Sequence, residues 1–483
     1  MSYNFSLHNY WFYFIAILVI SVAVFLPTTI TLVVISALAA ILAWVRPKEA
    51  LLLMALYIPI RTFLVEMNSG FTLTGDILTF VLVLKVLWDT KGEVKSWFRF
   101  HPFELAFFAF LIVGAVSGVI TGASITAVIF QIRTYLIMYL LYYVVSRMNL
   151  KPEDFVRFAW VNILTATVIC LQGIIEKVSL RTWLIPQTWS EAPLSLTNFM
   201  RIYGLPNNPN TLAIYLSITV LLVLFILPKV VGAQKKVLYV LLVLFLGVNI
   251  LTFSRGTFIA LVIGFAFYLI LTKHWKVIKP MILATIAAYL LVYLPVTFGT
   301  EYVNNVLTDG TGKGAGGLAD RLQDTFDEET RKKLIETGRV FYIKKGFEIF
   351  LDHPVIGTGF ATFGDSATLS YGSPIYKDYD IPDASYYGFN IYTDNQYIGV
   401  ITETGAVGVV LFAIFLLGML WIFWKRRKED DPRFSYFMVA LWFSTAAMAM
   451  YYNIWELKLF TFFYFVVFGV YASKYNLYKI NHK

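Results

Sequence analysis

The feature that most constrains this chain is an apolar stretch that returns again and again between short polar turns. Most of these stretches are about 17 to 25 residues long, the length that crosses a bilayer as an α-helix. They are continuously apolar and lack the period-two alternation of a membrane barrel, so helix is expected over strand. Of the 483 residues 58% are hydrophobic and 14% charged, with a mean hydropathy of +0.69. That balance excludes an ordinary soluble protein. The sequence predicts fourteen spans, at roughly 10–26, 28–45, 49–65, 75–89, 104–121, 124–145, 154–175, 208–227, 236–252, 254–272, 278–298, 395–424, 434–452 and 456–473. The expected fold class is an all-α integral membrane protein, a polytopic bundle of about 14 (12–14) transmembrane helices. It carries one large extracytoplasmic loop containing helices.

The basic residues orient the bundle. A net charge of +9 would point to nucleic acid in a soluble protein, but here the cations cluster in short loops. With the N-terminus inside, 23 of the 39 Lys and Arg fall in cytoplasmic loops or the C-terminus. Nine more lie in the long segment 299–394, where the positive-inside rule does not apply. Seven remain for the opposite side and the spans: Arg61, Arg133, Lys177, Arg181, Arg201, Arg255 and Lys458. The expected organisation is therefore helices 1–11 over 1–298, an extracytoplasmic loop over 299–394, and helices 12–14 over 395–483 with a cytoplasmic C-terminus. The first apolar run lacks a basic n-region and a cleavage site, so no cleavable signal peptide is expected. The single cysteine, Cys170, permits no internal disulfide.

The 299–394 segment holds 15 of the 30 acidic residues, an odd investment for so apolar a chain unless it covers a site. Its glycine-rich stretch 310–317 lacks the Gly-Lys-Ser/Thr ending of a phosphate loop and reads as a hinge. Residues 328–352 show helical spacing of apolar positions. Gly114 and Gly118 form a small-xxx-small pair expected to permit close packing. Trp183 and Trp189 mark 176–207 as an interfacial segment.

Charges within or beside spans need a reason, since each costs about 2.5–3.5 kcal/mol at mid-membrane. Glu403 lies roughly 13 Å along its helix from Asp394 at about 1.5 Å per residue. Arg133, in the outer half of its own span, is the expected partner of Glu403. Arg255, beside Ser254 and Gly256 in a short turn, is either a snorkelling side chain or an anion fork. Asp394, preceding an apolar run, is either a helix N-cap or a general base. No His/Cys/carboxylate cluster has metal-ligand spacing, and His353 sits in a Pro-x-x-Gly-x-Gly turn, so no metal is expected.

Five motifs fall in order around the long loop. They are Phe253, Ser254, Arg255, Gly256; Gly338, Arg339, running on to His353 through Gly359; and Asp394, Asn395, Gln396, Tyr397. Glu403 through Gly408 follows them, and Arg201 through Ala213, with its Asn208-Pro209-Asn210, precedes them. Together they resemble the O-antigen ligase and Wzy-type polymerase superfamily over about residues 200–410. The resemblance implies a metal-independent integral-membrane glycosyltransferase without cofactors. Such an enzyme takes a glycan from an undecaprenyl-pyrophosphate carrier at the outer face of the plasma membrane and joins it to a glycan acceptor, lipid-linked or other. Its partners are those two substrates and membrane lipid, with no nucleic acid. By the same resemblance Arg255 and Arg339 hold the pyrophosphate and Asp394 is catalytic, with Arg201, Asn395, Glu403 and Arg133 as supporting residues. Asp394 stands where ligases of the family carry a histidine, while polymerase-like members carry Asp-Asn-x-Tyr. A polymerase is therefore the first expectation and a ligase the second. A lipid-linked oligosaccharide flippase or polysaccharide exporter comes third, because a flippase would line a central cavity with charge. Tyr371, Tyr376, Tyr379, Tyr386, Tyr387 and Tyr392 are expected to stack on sugars.

Overall fold

The structure, a computed structural model, describes residues 11–194, 196–308, 338–382, 393–428 and 432–478. The first seven long helices are α1 (Trp11–Ala23), α2 (Thr28–Val45), α3 (Pro47–Met67), α4 (Thr74–Asp89), α5 (Pro102–Ile120), α6 (Ile125–Arg147) and α7 (Pro152–Val178). Next come α8 (Pro209–Ile226), α9 (Gly232–Leu251), α10 (Arg255–Thr272), α11 (Ile278–Ala288) and α12 (Leu294–Thr308). Beyond the long segment lie α13 (Arg339–Asp352), α14 (Gln396–Arg426), α15 (Arg433–Met448) and α16 (Lys458–Lys474). Prolines 47, 102, 152 and 209 open four of them at the first turn, where a missing N–H costs nothing.

All fourteen predicted spans are helical, but among the described residues eleven helices are long and apolar enough to cross a membrane. The other three, α1, α15 and α16, have 13, 16 and 17 residues. The count of fourteen is thus not met by length. Between α15 and α16 the reason is visible: residues 449–457 form a turn that carries Tyr452, Asn453 and Glu456 instead of extending either helix. At the start of the long segment the error runs the other way, since α12 continues to Thr308. The glycine-rich stretch 310–317 and tyrosines 386, 387 and 392 lie outside the described residues.

α8 is the axis of the bundle, with nearly every side chain buried. The outward faces of α2, α5, α9, α10 and α11 carry exposed Leu, Ile and Val, among them Val33, Ile112, Val240, Ile259 and Leu283. Apolar surface on this scale fits a lipid solvent, with every backbone bond satisfied inside its own helix.

α14 breaks that rule at Gly405, whose φ of 59° is non-helical. A break leaves backbone donors and acceptors unpaired, and residues 354–359 pair them. Ala406 and Val407 donate to the carbonyls of Pro354 and Val355 at 2.8 and 3.0 Å. Thr358 and Gly359 donate to those of Thr402 and Glu403 at 3.1 and 2.6 Å. Only glycine fits here: a Cβ on Gly357 would lie 2.4 Å from the Glu403 backbone, and one on Gly405 2.5 Å from Val355. Phe360 then presses on α5, where a Cβ on Gly114 would meet its ring at 2.4 Å. The Gly114–Gly118 pair therefore admits an inserted loop, not only a second helix. The long segment is rooted inside the bundle by its 354–368 stretch.

Candidate active site

Three arginines from three separate segments meet at the end of the bundle that carries the long segment. Arg201 precedes α8, Arg255 opens α10 and Arg339 opens α13. Together with Asn210, Ser254, Tyr451 and Tyr452 they line a polar cavity of about 180 Å³.

Local sequence fixes each one. Asn208 caps α8 by accepting from Asn210 N and Thr211 N at 2.9 and 3.0 Å, and Pro209 sets the first turn. The second asparagine is then free to orient Arg201, accepting from its guanidinium at 2.5 Å, while Arg201 Nε donates to Thr252 O at 2.7 Å. Phe253 adopts a left-handed backbone, φ 52°, which is costly for a bulky residue and turns the chain sharply into α10. Ser254 Oγ lies 2.9 Å from Thr257 Oγ1 and steadies that turn. At Gly256 a Cβ would lie 2.8 Å from the Tyr451 ring, so glycine lets Tyr451 close the cavity.

Asp394 also has a left-handed backbone, φ 51°, tolerable for aspartate. It is not the helix cap. Asn395 caps α14, accepting from Tyr397 N and Ile398 N at 3.1 and 3.2 Å. Asp394 is thereby released to face Arg339, whose guanidinium donates to its Oδ2 at 3.1 Å. About a third of the Asp394 side chain (35%) stays exposed although the residue is sunk among protein atoms. Burial raises its carboxyl above the ordinary aspartate range, against the lowering pull of Arg339 and Arg201. A raised pKa makes it a stronger base than an unperturbed aspartate.

Phe253, Ser254 and Arg255 are shared with a second cavity of about 620 Å³, almost wholly apolar. It runs between α9, α10 and α11 and reaches Tyr289 in the π-helical turn that joins α11 to α12. Phe258, Thr285 and Ile286 continue it into a further apolar cleft of about 260 Å³. The cavity lined by three arginines thus opens directly onto an apolar one, with Arg255 at the junction.

Two supporting residues lie elsewhere. Arg133 pairs with Asp76 on α4, not with Glu403. Glu403, fully buried, accepts from Phe363 N at 3.0 Å and shares a hydrogen bond with the Asp365 carboxyl. Asp365 in turn accepts from Ala361 N and Thr368 N at 2.8 and 2.7 Å, and Glu456 accepts from Ser366 N at 2.7 Å. The three carboxyls hold the inserted loop by its backbone N–H groups. The expected Arg133–Glu403 pair fails because that loop reaches Glu403 first. Of the described tyrosines, Tyr376 is buried (1% exposed) and unavailable to a sugar. Tyr379 donates to Asp352 at 3.0 Å, and Tyr371 stands half-exposed.

Sequence reasoning missed Asn210 and Tyr452. The Asn-Pro-Asn motif carried the signal for Asn210, since one asparagine suffices as a cap. Tyr452 carried none, because it reads as the end of an apolar span.

Residues 240–413 match the family model described as O-antigen ligase, a stretch that contains Arg255, Arg339, Asp394 and Glu403. No curated protein matches the chain.

Proposed function

We propose that this member of the O-antigen ligase and Wzy-type superfamily, a membrane glycan ligase or polymerase by kind, is a polymerase. It extends a polysaccharide from undecaprenyl-pyrophosphate-linked units at the extracytoplasmic face of the plasma membrane. The observation that carries the reading is the junction of a three-arginine cavity with an apolar channel, with Asp394 bonded to one of the arginines.

The polyprenyl tail lies in the channel and its pyrophosphate between Arg201, Arg255 and Arg339. The acceptor hydroxyl attacks the anomeric carbon as Asp394 takes its proton. The bond from that carbon to the phosphate oxygen breaks, and the arginines stabilise the charge that develops on the leaving pyrophosphate. Guanidinium forks suit this task, since each grips two oxygens at once. In this scheme a divalent ion has no task, so transfer is expected to persist after exhaustive chelation; strict dependence on Mg²⁺ or Mn²⁺ would contradict it. The buried glutamate Glu403 belongs to the scaffold, and Asn395 to the start of α14.

Aspartate at 394, in place of the ligase histidine, favours polymerase over ligase. Cells lacking the protein are expected to accumulate single repeat units on the lipid carrier. Accumulation of full-length lipid-linked chains would make it a ligase.

A further inference from the structure

A second group of cations stands at the same end of the bundle, on helices outside the matched stretch. Asp76, in the first turn of α4, pairs with Arg133 of α6 through one carboxylate oxygen. Its other oxygen lies 3.9 Å from Lys458 Nζ at the start of α16. Arg61 of α3 donates to Thr72 O at 3.3 Å and lies within electrostatic range of both Arg133 and Lys458. Two cations therefore share one carboxylate, and a third stands beside them. Arg133, Lys458 and Asp76 are withdrawn from water, with 35%, 24% and 18% of their side chains exposed. Like charges so placed repel one another with little screening. One aspartate does not balance the two arginines, let alone the lysine beside them, and an anion joining the group would relieve their repulsion.

We propose that Arg61, Arg133 and Lys458 form a second anion site, one that binds the phosphate of a lipid. Lys458 opens α16 and Asp76 lies in the first turn of α4, so the group stands near helix ends. A chain path is also present. Leu53, Tyr57 and Arg61 follow one another at four-residue spacing on one face of α3. Leu53 and Tyr57 line an apolar groove of about 450 Å³ with residues of α1 and α2, and Arg61 sits one turn beyond it. The site is tied to the candidate active site. α6 also carries Tyr135, and the turn before Lys458 carries Trp455; both bond the Gln396 side chain, at 3.0 Å each, two residues beyond Asp394. On the polymerase reading, on which this assignment of the occupant rests, the reaction joins two lipid-linked glycans. The cavity of about 180 Å³ around Arg255 takes one pyrophosphate, and the second site takes the acceptor's.

The test is native mass spectrometry of the full chain in nanodiscs, titrated with undecaprenyl pyrophosphate or with phosphatidylglycerol. The wild type is expected to hold two copies of the polyprenyl lipid. The double variant Arg61→Gln/Lys458→Gln, which keeps the Arg133–Asp76 pair, is expected to bind one of them about tenfold more weakly or worse. Arg255→Ala/Arg339→Ala is expected to lose the other. If the double glutamine variant loses phosphatidylglycerol instead, the site stands and its occupant is a headgroup. If it binds both probes as the wild type does, with an unchanged melting temperature, the proposal is overturned. A failure of the polymerase reading alone looks different: the double alanine variant then binds normally while the glutamine variant still loses its lipid.

Discussion

Asp394 and Asp365 belong to the same long segment, both lie among protein atoms, and both have carboxyls pushed above the ordinary range by burial. They differ in what they touch. Asp365 is saturated by Ala361 N, Thr368 N, the Thr368 hydroxyl and the Glu403 carboxyl. Asp394 meets one guanidinium, keeps part of its surface open, and leaves the capping of α14 to its neighbour. A carboxylate enclosed by backbone N–H groups is a strut. One that faces a cation at the rim of a cavity can accept a proton from a substrate. Burial alone does not separate the two; the partner does.

Neutralising the open carboxylate or either of its arginine partners is expected to have the largest effect. Asp394→Asn, Arg255→Ala and Arg339→Ala are each expected to lower glycan transfer by about 100-fold or more. The Arg339–Asp394 pair is more than a third exposed on both sides, so its loss is expected to change stability by less than about 1 kcal/mol. Normal polymer length in purified-membrane assays of these variants would leave Asp394 without a chemical role.

Asp365→Ala exchanges the pattern. It strands two buried backbone donors and the Glu403 carboxyl, at an expected cost of about 2–5 kcal/mol in unfolding experiments. Activity lost there should return in proportion as folded protein is recovered, which it should not for Asp394→Asn. Glu403→Gln tests the same strut more gently. A hydrogen bond between two carboxyls needs one proton, and glutamine supplies a permanent donor, so stability is expected to stay within about 1 kcal/mol.

Much of this was legible in the chain. The helical spans could be read because bilayer thickness leaves few alternatives, whereas Arg201 and Arg339 are singled out by the family resemblance and Arg255 and Asp394 each keep two readings. The partner of Glu403 could not be read. It is chosen by where a loop of small residues enters a broken helix, and neither Gly357 nor Gly405 advertises in sequence that each makes room for the other's backbone. The same holds for the cap. Asp394 and Asn395 are both good N-caps, and the left-handed backbone at 394 decides between them only in three dimensions.

A pH profile then sharpens the contrast. Asp394 must be ionised to accept a proton, and its carboxyl titrates above the usual value of about 3.9. Transfer is therefore expected to fall with an acid limb displaced upward from that value. Stability moves the opposite way. A carboxyl whose pKa is higher folded than unfolded favours the native state when protonated, so its contribution improves as pH falls through that window. Activity lost while melting temperature holds or rises would mark titration of Asp394 rather than acid unfolding.

The smallest effect belongs to Asn395. Its side chain serves Tyr397 N and Ile398 N and no described group of the cavity. Asn395→Ala is expected to cost about 1 kcal/mol by thermal melting, the ordinary worth of a cap. Asn395→Asp keeps the cap but places a second carboxylate beside Asp394, so its stability should stay near wild type. Its acid limb should move further up, because a like charge nearby disfavours ionisation. A profile that does not move in Asn395→Asp would mean that the group limiting transfer at low pH lies elsewhere than at position 394.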